Sequence, residues 1–116
     1  MNMKMIETKT HYVFDLGNEN ISSDNVKLID ELLKKTSKLK SFAIDMEHVT
    51  SCCNEFFDLL QKNSKKRKIT LVNTPSEILV LLNLTRTDDS VDLFQSEIDM
   101  EEDKRSLVNR KFAIIN

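Results

Sequence analysis

The strongest constraint on the fold of this chain lies between residues 41 and 61, where a strand is followed at once by a helix. The run Phe42 to Met46 has the apolar content of a buried strand, and apolar residues then recur at helical spacing from Phe56 to Leu60. Turns of this kind lie at the carboxyl edge of α/β sheets, where functional groups usually collect. The turn is therefore the first candidate site, and it contains Thr50, Ser51, Cys52, Cys53, Asn54 and Glu55.

The rest of the chain alternates strands and helices in the same way. Gly17, the only glycine, closes the second predicted strand. Further strands are predicted over 3–7, 11–16, 69–72 and 91–94. Helices are predicted over about 24–36, 54–66 and 74–85, and from 99 onward. This order predicts an α/β fold, with a mixed, mostly parallel sheet of about five strands and about four helices.

Two helix starts carry capping signals. Oxygens in the segment Ser22 to Asp24 can accept hydrogen bonds from the first N–H groups of the first helix. Thr74 and Glu77 have the spacing of a capping box, and Pro75 between them suits the first helical position, where its missing N–H costs nothing. Both helices are therefore expected to begin with a side-chain cap.

Composition is typical of one soluble globular domain. A chain of 116 residues can bury a single core, and its content of 40% apolar and 31% charged residues argues against disorder. The longest apolar run, Ile78 to Leu82, is too short to span a bilayer, and no export signal precedes it. We expect residues 1–116 to form one cytoplasmic domain, with a core over about 8–108 and a C-terminal tail over 109–116.

Three segments in sequence order resemble the STAS domain family. Residues 44–50, IDMEHVT, are similar to the strand and turn before that family's signature loop. Residues 72–85 are similar to its next strand and helix, which commonly read L-V-N-P-S-P with apolar residues following, and a short strand ending in Leu93 and Phe94 comes next. The resemblance covers about residues 8–108. It implies a single-domain STAS-like fold and a non-catalytic regulatory function exercised through protein binding.

The chain departs from the family at the position that would decide its regulation. STAS anti-sigma-factor antagonists carry an Asp-Ser-Ser-Gly-type turn whose first serine is phosphorylated by a partner kinase. Aligned without gaps, Cys53 stands at the aspartate, Asn54 at the phosphorylated serine and Glu55 at the next serine. The usual acceptor hydroxyl is missing. Glu55 then either imitates part of the charge of a phosphate or is an ordinary first-turn residue, which the helix dipole favours there.

The resemblance also implies the class of partner. It would be an anti-sigma-factor kinase, a larger stress-signalling assembly or, as an alternative, the ATPase of a lipid-transport ABC complex. Adjacent residues on a helix point about 100° apart, so of Phe56 and Phe57 one is expected nearer the surface as an apolar anchor. The predicted partner-binding residues are Thr50, Ser51, Cys53, Asn54, Glu55 and Phe57. Neither nucleic acid nor direct membrane insertion is expected.

The residues of the turn also suggest other chemistries. Thr50 and Ser51 are candidate phosphorylation sites, although helix capping is the role preferred for their hydroxyls. A small thiol redox protein using Cys52 and Cys53 is the alternative from another class, and it would need a lowered thiol pKa. No catalytic residue, metal site or cofactor is predicted, because no known ligand spacing occurs and one glycine cannot build a phosphate loop.

Two further segments suggest surfaces. The basic run Lys62 to Lys68 is interpreted as a solvated cap on the end of a helix, with docking on an acidic protein surface or on anionic lipid as alternatives. The apolar end, Phe112 to Ile115, is expected to pack against another surface. A second copy of the chain, in a homodimer, is one candidate for that surface.

Overall fold

Strands and helices alternate along the chain, as the sequence predicts. The computed structural model describes residues 3–17, 19–96 and 99–100. In chain order the elements are β1 (Lys4–Glu7), β2 (His11–Asp15), β3 (Asn20–Ile21), α1 (Ser23–Lys35), β4 (Ser41–Asp45), β5 (Ser51–Cys52), α2 (Asn54–Asn63), β6 (Ile69–Val72), α3 (Ser76–Leu84), a 3₁₀ turn (Thr87–Asp89) and β7 (Asp92–Phe94).

The main sheet has five strands in the order β1-β2-β4-β6-β7. β1 and β2 form an antiparallel hairpin, whereas β2, β4, β6 and β7 run parallel. Parallel neighbours need crossover connections, and α1, α2 and α3 supply them. The prediction of a mixed, mostly parallel sheet is confirmed, and β7 lies at its edge. Because the crossover helices run back against the strands, the starts of α2 and α3 lie at the carboxyl edge of the sheet.

Alternation along the strands gives the sheet two buried faces. Phe14 and Phe42 lie on the face packed against the helices, and their rings stack at 4.6 Å between centroids. Their neighbours in the same strands, Val13 and Ala43, lie on the other face, where Met100 joins their cluster. Both faces are therefore covered, as the near-continuous apolar content of the central strands requires.

The two capping predictions had different outcomes. Ser22 caps α1, and its side chain forms a reciprocal capping box with Asn25. The box predicted at Thr74 is wrong, because α3 begins one residue later, after Pro75, and has no side-chain cap. Asn73, just before Thr74, holds a left-handed backbone with φ of 57°. The Thr74 hydroxyl oxygen is buried and makes no hydrogen bond to the described residues, so it does not cap the helix.

Several predicted boundaries need adjustment. The second helix ends at Asn63 and not near residue 66, because a turn over the following lysines leads into β6. The last strand begins at Asp92. The predicted fourth helix lies outside the described residues except for Asp99 and Met100, which are helical. The expectation for residues 112–115 lies outside them too, and the homodimer stays a prediction.

Arg67 is not part of a solvated cap, and that prediction is wrong for this residue. Its side chain is 7% exposed. The guanidinium donates to the carbonyl oxygens of Leu33, Ser37 and Lys40 at 3.1, 2.8 and 3.2 Å, and to the Thr36 hydroxyl at 2.7 Å. These acceptors belong to the last turn of α1 and the loop after it, so Arg67 supplies the donors that the helix end lacks.

None of the helices in the described part of the chain has the length and apolarity needed to cross a membrane.

Candidate functional site

The turn before α2 is held by a small second sheet that the sequence did not predict. β3 and β5 pair in parallel, with Asn20 opposite Ser51 and Ile21 opposite Cys52. The Glu19 carbonyl accepts from the N–H groups of Thr50 and Ser51 at 2.6 and 3.2 Å. Further along the chain, the Cys53 N–H donates to the Ile21 carbonyl at 2.9 Å. Backbone hydrogen bonds thus fix the shape of the candidate site.

Asn54 and Glu55 form the exposed first turn of α2. Cys53 is the N-cap residue, and its side chain makes no capping hydrogen bond. The Glu55 carboxylate accepts from the Ser23 hydroxyl at 2.7 Å, which links the starts of α1 and α2. A negative charge in this turn is stabilised by the helix dipole. The site therefore presents a fixed carboxylate beside an amide.

The hydroxyls of Thr50 and Ser51 do not cap α2, so the capping role preferred for them is wrong. Both residues are exposed and lie upstream of the N-cap, and Ser51 pairs with Asn20 of β3. Thr50 Oγ1 donates to the Glu19 carbonyl at 3.2 Å, and Ser51 Oγ donates to Asn20 Oδ1 at 2.7 Å. The strand pairing directs these hydroxyls toward the Glu19 segment, where they remain at the surface.

Phe57 lies in the core and is not an exposed anchor. Its side chain is 4% exposed and that of Phe56 is 0% exposed, so the expectation that one ring stays near the surface is wrong. The two rings meet edge to face at 5.8 Å. α2 packs against both the sheet and α1, and its buried side is wide enough for adjacent residues. The exposed side of the helix is polar and includes Asp58.

The two cysteines are free and half buried, and they pack against the main core. Burial, together with the neighbouring Cys53, raises the pKa of the Cys52 thiol to about 12. A redox thiol needs the opposite shift, because the thiolate is the reactive form. The environment of Cys52 therefore favours the packing role over redox chemistry.

This environment gives a measurable expectation. In a Cys53→Ser variant at pH 7, we expect Cys52 to react with iodoacetamide at least about tenfold more slowly than free cysteine, with the rate still rising above pH 9. Cys52→Ser is the matched variant for the other thiol. A Cys52 rate equal to or above that of free cysteine would restore the redox alternative.

A cleft of about 460 Å³ opens at the carboxyl ends of β6 and β7, and the sequence did not predict it. Asn73 lines this cleft, and its amide donates to Asp45 Oδ1, at the end of β4, at 3.2 Å. An asparagine directly after a strand was the available signal, since asparagine tolerates the left-handed backbone found there. The cleft is lined by Asn73, Thr74, Ser76, Leu79, Phe94 and Gln95. No group of three or more metal-ligating side chains occurs in the described ranges.

Comparison with known proteins relates this architecture to a solved fold. A crystal structure of a proposed anti-sigma factor antagonist from Thermotoga maritima, TM1081, superposes with a TM-score of 0.68 at 18% identity, covering 90% of this chain and 95% of that one. An NMR structure of TM1081 gives a TM-score of 0.66 at 18% identity, with 88% of each chain covered. The fold is STAS-like. This agrees with the resemblance carried by residues 44–50 and 72–85.

Sequence comparisons add nothing to this structural likeness. No family model matches the chain, and no curated protein matches it either. At 18% identity the STAS-like likeness establishes the fold and leaves the partner open. Evidence for a function therefore comes from the turn itself.

Proposed function

We propose that this chain is a non-catalytic, cytoplasmic regulatory domain that binds a protein partner through the turn Thr50 to Glu55 and the exposed side of α2. The observation that carries the proposal is the exposed pair Asn54 and Glu55, held at the start of a helix by backbone pairing with residues 19–21. A surface that is already ordered loses little conformational entropy on binding.

The charge of this surface supports a partner with a basic patch. Glu19, Glu47, Glu55 and Asp58 are all exposed around the turn. Opposite charges across an interface speed association and fix its register. An anti-sigma-factor kinase or a stress-signalling assembly is the first class of partner, in keeping with the STAS-like fold. The ATPase of a lipid-transport ABC complex is the second.

The same surface supports regulation without the usual serine switch. Asn54 cannot accept a phosphate, whereas Glu55 carries a carboxylate that no kinase has to install. Ser51 and Thr50 keep accessible hydroxyls, and they remain the proposed sites if the partner is a kinase. Phosphate transfer to either residue, detected by mass spectrometry after incubation with the kinase and ATP, distinguishes that case from a fixed switch.

Reversing the charge of Glu55 tests the surface directly. We expect Glu55→Lys to weaken binding to the cognate kinase or ATPase by at least about tenfold, because a like charge would face the basic patch of the partner. Binding is measured by calorimetric titration of each purified candidate partner into the full chain. Glu77→Lys is the matched control, since Glu77 is an exposed first-turn glutamate of another helix. Equal affinities for both variants would contradict the proposed surface.

A further inference from the structure

The end of the molecule opposite the turn carries a cluster of lysines. Arg67 joins the last turn of α1 and the following loop to the segment after α2, so the two helix ends lie side by side. Exposed lysines from both ends gather around this junction. We call them the lysine cap: Lys34, Lys35, Lys38, Lys62 and Lys65.

Most of the positive charge of the lysine cap is not neutralised. Lys34 pairs with Asp30 at 3.0 Å, an exposed i,i+4 contact of the kind that contributes little. Among the described residues, no ion pair involves the other four lysines. The nearby acids Asp89 and Asp92 line a separate cleft with Lys66 and Lys68, where Asp92 pairs with Lys68 at 3.1 Å.

Leu39 projects from the loop beside these lysines. Its side chain is 98% exposed, the highest value among the large apolar residues described as exposed. The loop is ordered on both sides of it, because Arg67 binds the carbonyls of Ser37 and Lys40 and the Leu39 N–H donates to Ser37 Oγ at 3.2 Å. Leu39 buries no apolar surface in the fold, so its side chain is free to contact another surface beside the lysines.

We propose that the lysine cap and Leu39 form a peripheral binding site for an anionic lipid bilayer. Lysines near a negatively charged leaflet are attracted to it, and a neighbouring leucine can enter the boundary between headgroups and acyl chains. A single exposed leucine offers no groove into which a ridge on a partner protein could pack. A lipid bilayer is soft and can take up the side chain without a matching shape. Nucleic acid would favour aromatic stacking residues, and none belongs to the cap.

Bound in this way, the domain lies on the membrane without crossing it. The turn Thr50 to Glu55 lies at the other end of the parallel strands and so faces away from the lipid. Lipid binding would therefore hold the domain at the membrane while the proposed partner-binding surface stays free. The two functions can be tested separately.

Tryptophan fluorescence gives the direct test, because the chain contains no tryptophan. In full-length Leu39→Trp, the emission should shift to shorter wavelength with vesicles of phosphatidylcholine and phosphatidylglycerol, and should not shift with phosphatidylcholine alone. His48→Trp places the probe on the exposed turn at the opposite end and should show no shift. Absence of a shift for Leu39→Trp with anionic vesicles, or an equal shift at both positions, overturns the proposal.

Co-sedimentation with the same vesicles tests the lysines. The double variant Lys62→Glu/Lys65→Glu should bind at least about 25-fold more weakly, since each lysine near the surface contributes about fivefold. Lys4→Glu/Lys27→Glu makes the same change in net charge away from the cap and should bind like the wild type. Binding should also be lost at about 1 M salt, where the Debye length is about 3 Å. Equal loss in both double variants overturns the proposal, as does binding to duplex DNA or polyglutamate without binding to vesicles.

Discussion

Arg67→Met should lower the free energy of unfolding by about 3 kcal/mol, because one buried and three part-buried acceptors lose the charged donor of a residue that is itself 7% exposed. Three of those acceptors are backbone carbonyls around the end of α1, and the methionine cannot bond to them. The ring of Phe42 also loses the guanidinium that stacks over it at 5.2 Å. Urea unfolding followed by circular dichroism measures the change.

Two variants separate the role of the planar, forked shape of the guanidinium from the role of its charge. Arg67→Lys keeps the positive charge but has no planar fork, so it should recover only part of the lost stability. Lys66→Met removes an exposed neighbouring cation and should stay within about 0.5 kcal/mol of the wild type. A loss below about 1 kcal/mol for Arg67→Met would mean that water satisfies the carbonyls and that the arginine is dispensable.

Phe57→Ala should destabilise the protein by about 3–4 kcal/mol, since a buried ring is removed and a cavity remains. Phe57→Leu keeps most of the apolar volume and should lose less than half as much. Both values come from the same urea unfolding measurement. Asp58→Ala, at the adjacent exposed position of α2, should be nearly neutral.

The affinity of Phe57→Ala for the partner distinguishes a core residue from an anchor. At a temperature where the variant is folded, we expect its affinity for the partner to stay within about threefold of the wild type, because the ring is 4% exposed. The combination of full stability with lost binding would reverse this assignment. It would place Phe57 in the interface, where the helical spacing alone had predicted one of the two rings.

The sheet could be predicted from the sequence because each strand carries a strong local signal. Phe42 to Asp45 and Ile69 to Val72 are short runs rich in apolar and β-branched residues, each followed by a helix start. β3 and β5 were not predictable in this way, since each has only two residues and their pairing spans a helix and a strand. Nothing local distinguishes such a segment from a loop.

The site could be located from the sequence, but the roles of its residues could not all be assigned. Thr50 and Ser51 have ideal capping side chains, yet the register of β5 places them too early in the chain to reach α2. The burial of Arg67 could not be predicted, because the charge pattern is the same for this residue, which is 7% exposed, and for the solvated lysines around it. In both cases the decisive partner, the Glu19 segment or the end of α1, is distant in the sequence.

The pairing of β3 with β5 also limits how this protein could acquire a phosphorylation switch. Its register fixes the positions of Ser51 and Cys52, since a shift by one residue would exchange their inner and outer faces. Sliding the existing serine into the first turn of α2 is therefore excluded by the ladder. An acceptor hydroxyl in the first turn of α2 would require substitution at Asn54 itself, so a change of one codon could introduce it and a change in loop length could not.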